Sequence, residues 1–175
     1  MMVTMGITKP LAAALTALVM LAPAVTASAT VPYNEGRLVI GDPWGGPART
    51  LDVGVSTGCT PVDDAPGLAT LSVTTRDAAW ERLMADTFHV SSWVPFVHTT
   101  AEISWHNRDT GQRGSGTQYG INGAILGAER WDVGPGLVDV DVTVTQSPGI
   151  PVEFSSVRSH SASGSYSVTS SGCGV

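Results

Sequence analysis

The stretch ISWHNRDTGQRGSG, Ile103 to Gly116, brings an indole, an imidazole, the Asn107 carboxamide, a carboxylate and two guanidinium groups close together in the chain. Asp109-Thr110-Gly111 is the tripeptide of aspartic proteases. That chemistry needs two facing carboxylates sharing one proton, supplied by paired lobes or subunits, and the sequence holds a single such tripeptide. Apolar and polar residues alternate on its flanks, and Gly111 stands where a tight turn needs a left-handed residue. The stretch therefore reads as a β-hairpin with DTG at its tip. Arg108 and Arg113 straddle that tip, where a charge contact to Asp109 contributes little because it is exposed.

Gly54-Val55-Ser56-Thr57-Gly58 has the form of the G-x-S-x-G nucleophile elbow, which presents a serine on a strand-to-helix turn. The residues that follow, CTPVDDAPG, place two prolines and a glycine where the helix must start, and proline inside a helix removes a hydrogen bond and clashes with the preceding turn. Ser56 is accordingly expected at a strand end. His89, His98, His106 and His160 lack the i, i+4 or H-x-H spacing that places two metal ligands together. Asp63-Asp64, and Asp139 with Asp141, are carboxylates of the kind calcium takes, but each pair falls short of its oxygen-rich coordination. Two aspartates on the wet face of a strand instead serve solubility and discourage edge pairing. Neither a metal set nor a cofactor motif emerges.

Five tryptophans remain, Trp44, Trp80, Trp93, Trp105 and Trp131. Trp105 alternates inward. Trp44 in GDPWGGP and Trp131 in AERWDVGPG fall in Gly/Pro-rich segments read as loops. There an indole stacks on a sugar ring, anchors a protein partner, or covers the end of a core. These two are the candidate binding residues.

The elements that position such side chains are strands. Period-two alternation marks a strand with one buried face, and it recurs in RTLDVGVS, GLATLSVTT, HTTAEISWHN, GLVDVDVTVTQ and SYSVTS. Shorter patterns at 36–40, 87–94, 115–121 and 152–157 add weaker strands bounded by turn residues. DAAWERLM departs from the pattern: Asp77 is placed to cap a short helix, with Trp80, Leu83 and Met84 at i, i+3 and i+4. The expected fold is an all-β antiparallel sandwich of immunoglobulin-like type with about seven to nine strands. A closed β-barrel is the alternative, because alternation alone does not separate the two.

Residues 1–29 read as a secretory signal peptide. Lys9 precedes the apolar run Leu11 to Leu21, and Ala27 and Ala29 set a cleavage point after Ala29. The run is shorter than the ~18 to 20 residues of a membrane span. Cleavage leaves 30–175 as a single domain of 146 residues, enough to bury a core. It also removes the only lysine, taking the net charge from −6 to −7. So acidic a chain is a poor partner for nucleic acid phosphates and is repelled by an anionic membrane. Cys59 and Cys173, the only cysteines, are expected to form a disulfide in an oxidising compartment.

Trp105, Asn107, Thr110-Gly111 and Gly114, followed by VDVDVTVT, resemble the hairpin and valine-rich strand of small secreted immunoglobulin-like β-sandwich proteins of actinobacteria. The resemblance covers roughly Ile103 to Thr145. It implies export and a sandwich fold, and brings no catalytic residues. The expected function is non-catalytic binding outside the cell or at its envelope, to an envelope polysaccharide or an extracellular protein. The alternatives are an extracellular protease inhibitor, presenting GCTPVDDAPG or QSPGIPVE to a protease, and a small secreted hydrolase.

Overall fold

The structure, a computed structural model, describes residues 33–62, 65–87, 96–127, 129–149 and 158–173. The signal-peptide segment, His89, Trp93, Asp63-Asp64 and the strand expected at 152–157 lie outside these residues, as does nearly all of the strand expected at 87–94. The described elements are β1 (Tyr33–Ile40), β2 (Arg49–Val62), β3 (Ala65–Arg76), α1 (Ala78–Thr87), β4 (Val97–Asn107), β5 (Arg113–Ile121), β6 (Trp131–Asp132), β7 (Gly136–Pro148) and β8 (His160–Ser170).

Among the described residues the strands form two antiparallel four-stranded sheets, ordered β1-β2-β3-β6 and β5-β4-β7-β8. The sheets stay open, so the molecule is a β-sandwich and not a closed barrel. One apolar core lies between them. Val53, Val55, Leu71 and Val73 from the first sheet meet Ile103, Trp105, Val140, Val142 and Val144 from the second. Each fully buried valine or leucine contributes roughly 1.5–3 kcal/mol. Alternation also fixes register, because a slip of one residue on β7 turns Asp139 and Asp141 into the core.

Asp77 caps α1 as expected: its Oδ1 accepts the backbone N–H groups of Ala79 at 3.0 Å and Trp80 at 2.9 Å. The cap secures a first turn whose donors otherwise lack partners, and Trp80 is buried beneath it. The helix runs on to Thr87, so Thr87 belongs to α1 and not to a strand.

Two further expectations are corrected. Ser56 does not end a strand: β2 continues to Val62, and Ser56 sits between Tyr33 of β1 and Ser72 of β3. The prolines after Gly58 prevent a helix without stopping an extended chain, since a proline is tolerated where it owes no ladder bond. Beyond Gly58 the chain stays paired with β3, Cys59 opposite Ala69 and Val62 opposite Ala65. Trp131 is likewise not in a loop but opens β6, opposite Leu71.

The strands divide the sandwich into two ends. At one, β2 begins, β3 leads into α1, and β7 finishes. At the other lie the 107–113 turn and the disulfide, Cys59 to Cys173, with Cα atoms 5.6 Å apart. Beside the bridge, Thr57 Oγ1 donates to the Thr169 carbonyl at 3.0 Å, linking the two sheets.

Candidate functional site

The stretch most like an active site is structural. Asn107 is fully buried; its Nδ2 donates to the Val133 carbonyl at 2.7 Å and the Pro135 carbonyl at 2.9 Å. Its Oδ1 accepts the N–H groups of Asp109 at 3.0 Å and Thr110 at 3.1 Å. Gly111, with φ 74°, closes the turn. The Asp109 carboxylate accepts the Leu137 N–H at 2.9 Å. The Asn107 carboxamide and the Asp109 carboxylate thus hold the hairpin against the β6–β7 connection.

Arg108 does not pair with Asp109. It reaches across to Asp139 on β7, with Nη2 to Oδ1 at 2.8 Å. The outer face of this sheet is a grid of polar rows, one of which runs Arg113, His106, Asp139, Ser167. Within the grid Ser167 donates to Asp139 and Ser165 to Asp141, which fits the solvent-facing role expected of the two aspartates. Hydrogen bonds from Arg108, then from Ser167, hold the Asp139 carboxyl below its ordinary range. A depressed carboxylate gives stability that is present above its unfolded value and lost as pH falls through the folded one. Arg108→Gln is expected to move the Asp139 titration, followed by carboxyl NMR, up toward the ordinary aspartate value. Stability at neutral pH is expected to stay nearly unchanged, since solvent screens the exposed pair.

Trp131 is half-buried and packs against the core. Its indole lies on Gly116, where a Cβ would come within 2.6 Å of Nε1. Trp105 covers Gly114 in the same way. Trp44 sits half-buried in the β1–β2 turn, with its N–H donating to Asp42 Oδ1 at 2.9 Å and its indole Nε1 buried without a partner. The two candidate tryptophans therefore do not meet in one site.

What does come together lies at the α1 end. Arg49, at the start of β2, donates through Nη2 to Asp42 Oδ2 at 2.7 Å and through Nε to the same oxygen at 3.1 Å. Its guanidinium lies 5.0 Å from the centre of a Trp80 ring, a cation–π arrangement that fixes its plane. Its Nη1 stands 3.7 Å from Asp77 Oδ2, beyond hydrogen-bond reach; both atoms are buried and unpartnered. These residues line a cleft of about 590 Å³ between the β1–β2 turn, β2 and the first turn of α1, with Arg37, Asp52 and Arg82 also on its wall. Behind it Gln146 is fully buried, with both amide atoms unpartnered.

Reading the sequence for motifs missed this cluster, though parity could have found it. Arg49 falls in step with the inward residues Leu51, Val53 and Val55. Asp77 follows Leu71, Val73 and Thr75, and Gln146 follows Val140, Val142 and Val144. A charged or amide residue continuing an inward stripe is buried by geometry, and a buried polar group needs partners. No protein-family model, curated protein or solved structure matches the chain, so the cleft is read from its own residues.

Proposed function

We propose that this is an exported binding module, of immunoglobulin-like type and akin to small secreted proteins of actinobacteria, which engages an envelope or extracellular partner through the cleft beside α1. The observation that carries the reading is the cleft at the Arg49 cluster: a preformed recess whose wall carries charged groups held in place. A recess with a few fixed polar groups among apolar walls is the usual form of a ligand site. The groups are set for recognition and not for turnover, since Asp42 is committed to Arg49 and Asp77 to the helix cap. Among the described residues, moreover, no serine hydroxyl shares a hydrogen bond with a histidine. The disulfide, and the lack among the described residues of any helix long and apolar enough to cross a membrane, are compatible with an extracellular location.

From Thr30 onward the chain has no lysine, so an amine-reactive tag attaches only at the α-amino group and leaves the cleft untouched. The tagged, oxidised protein is expected to be retained saturably by one fraction of envelope polysaccharide or extracellular protein, and at least tenfold less when Arg49 is replaced by lysine. Absence of retention from both kinds of material overturns the reading.

A further inference from the structure

We infer that the free edge of β5 pairs antiparallel with the same edge of a second copy of this chain, joining two sandwiches about a two-fold axis at Thr117. β5 ends its sheet on one side. The Asn107 N–H donates to the Gln112 carbonyl, and bonded pairs alternate with unbonded ones along an antiparallel ladder. In the β4–β5 register, Gly114, Gly116, Gln118 and Gly120 therefore bond β4, while Arg113, Ser115, Thr117, Tyr119 and Ile121 turn their N–H and C=O groups outward. The Ile121 carbonyl has this parity, since it accepts the Ala124 N–H. Among the described residues nothing takes the outward groups of Ser115, Thr117 and Tyr119. The opposite edge, β8, is tied down: Asn34 Nδ2 donates to the Ser167 carbonyl at 2.9 Å, and Thr57 Oγ1 to that of Thr169. A bare edge is a template for another strand unless charge, proline or a covering segment blocks it, and Gly114 to Gly120 contains neither charge nor proline.

The recess at the Ile121 end identifies the strand that fits. Ile121, Ala124, Ile125 and Leu126 line a groove of about 440 Å³ beside the edge, and among the described residues Glu129 is the one charged group on its wall. Tyr119, Ile121 and Leu126 are exposed there. Such a groove suits a side chain with an apolar stem and a cationic head, the form of arginine. Pairing β5 with itself delivers one. A two-fold at Thr117, the middle of Arg113–Ile121, sets position 113 of each copy opposite position 121 of the other. Arg113 of the second copy then lays its methylenes along Ile121 and Leu126 and brings its guanidinium toward Glu129. Both residues are exposed, and among the described residues neither has an ionic partner in its own chain. An isologous contact makes this ion pair twice, and two four-stranded sheets become one of eight. Between the two pairs stand only Ser115, Thr117 and Tyr119, so no like charges face each other although the chain carries a net charge of −6. Main-chain bonds supply the affinity and the end contacts set the register.

The test is sedimentation equilibrium of the oxidised exported protein from about 1 μM to about 1 mM, the span of a small edge interface, with amide hydrogen exchange at both ends of that range. The protein is expected to pass from monomer to dimer. Over the same range the Ser115, Thr117 and Tyr119 amides are expected to gain at least tenfold protection. Thr117→Pro removes an outward N–H that β4 does not use, a place where an edge strand tolerates proline. It is expected to weaken dimerisation at least tenfold with the circular dichroism unchanged. Arg113→Glu and Glu129→Arg each set like charges together at both ends of the interface, so each variant alone is expected to stay monomeric. Mixed in equal amounts they are expected to form a heterodimer, because every end contact then joins opposite charges. Four results overturn the inference: a monomer throughout; a dimer whose β5 amides exchange as in the monomer; dimerisation unchanged in Thr117→Pro; or a mixture no more dimeric than its components. If the protein stays monomeric while an extracellular protein that retains it protects the same amides, the edge takes a foreign strand and the second copy falls. The groove shares no residue with the cleft beside α1, so the binding-module reading stands or falls separately.

Discussion

Replacing Asn107 with alanine is expected to cost about 3–4 kcal/mol of folding stability, measured by urea unfolding of the oxidised protein. Four hydrogen bonds meet at this carboxamide, two donated to the carbonyls of Val133 and Pro135 and two accepted from Asp109 and Thr110. Truncation leaves all four backbone groups without that partner at a fully buried position. Stranding a buried donor or acceptor costs roughly 1–3 kcal/mol, and the exposed tip lets water recover part of the total. Asn107→Asp is the sharper variant: it keeps the acceptor but turns a carboxylate toward two carbonyl oxygens, so it should destabilise at least as much at neutral pH and less under acid. A loss below about 1 kcal/mol in both variants would show that the turn is held by its backbone alone.

Removing the Cys59–Cys173 bridge is the other large effect. The bond closes a loop of sequence separation 114, for which the chain-entropy account gives about 4–5 kcal/mol. Replacing both cysteines by alanine is expected to lower the unfolding free energy by about 3–5 kcal/mol, since residual structure in the denatured chain trims the ideal figure. The loss should fall mainly on the denatured state, so the double variant is expected to keep the native near-ultraviolet spectrum in water. Loss of that spectrum without denaturant would instead mean that the bridge organises the sheet ends.

Much of the frame was legible because its signal is local. Val138, Val140, Val142 and Val144 declare a buried face without reference to any other element, and Asp77 before a short apolar period declares a helix start. The pairing of two cysteines followed from there being no other candidate. Other features depend on contacts that spacing does not encode. Asn107 is bound to carbonyls 26 and 28 positions away, and Arg108 to a carboxylate 31 positions away, so the nearer Asp109 misled. Trp131 was placed in a loop because a strand of two residues, followed closely by Gly134, Pro135 and Gly136, is too short for alternation to register. The cleft was missed for a related reason. Its members come from a turn, a strand start and a helix cap, and no motif contains them. Their common mark, polar residues continuing an inward stripe, becomes visible only when each strand is followed past its last apolar residue.

The packing of Trp105 and Trp131 has an optical consequence. Their indoles rest on Gly114 and Gly116, two positions apart on one face of β5 and so about 7 Å apart along the strand. Trp105 belongs to one sheet and Trp131 to the other. Two transition dipoles so placed are expected to couple, giving an exciton couplet in circular dichroism that is lost when the sheets part. The indole pair is thus expected to report inter-sheet docking, which a refolding trace would time against the far-ultraviolet signal of strand formation.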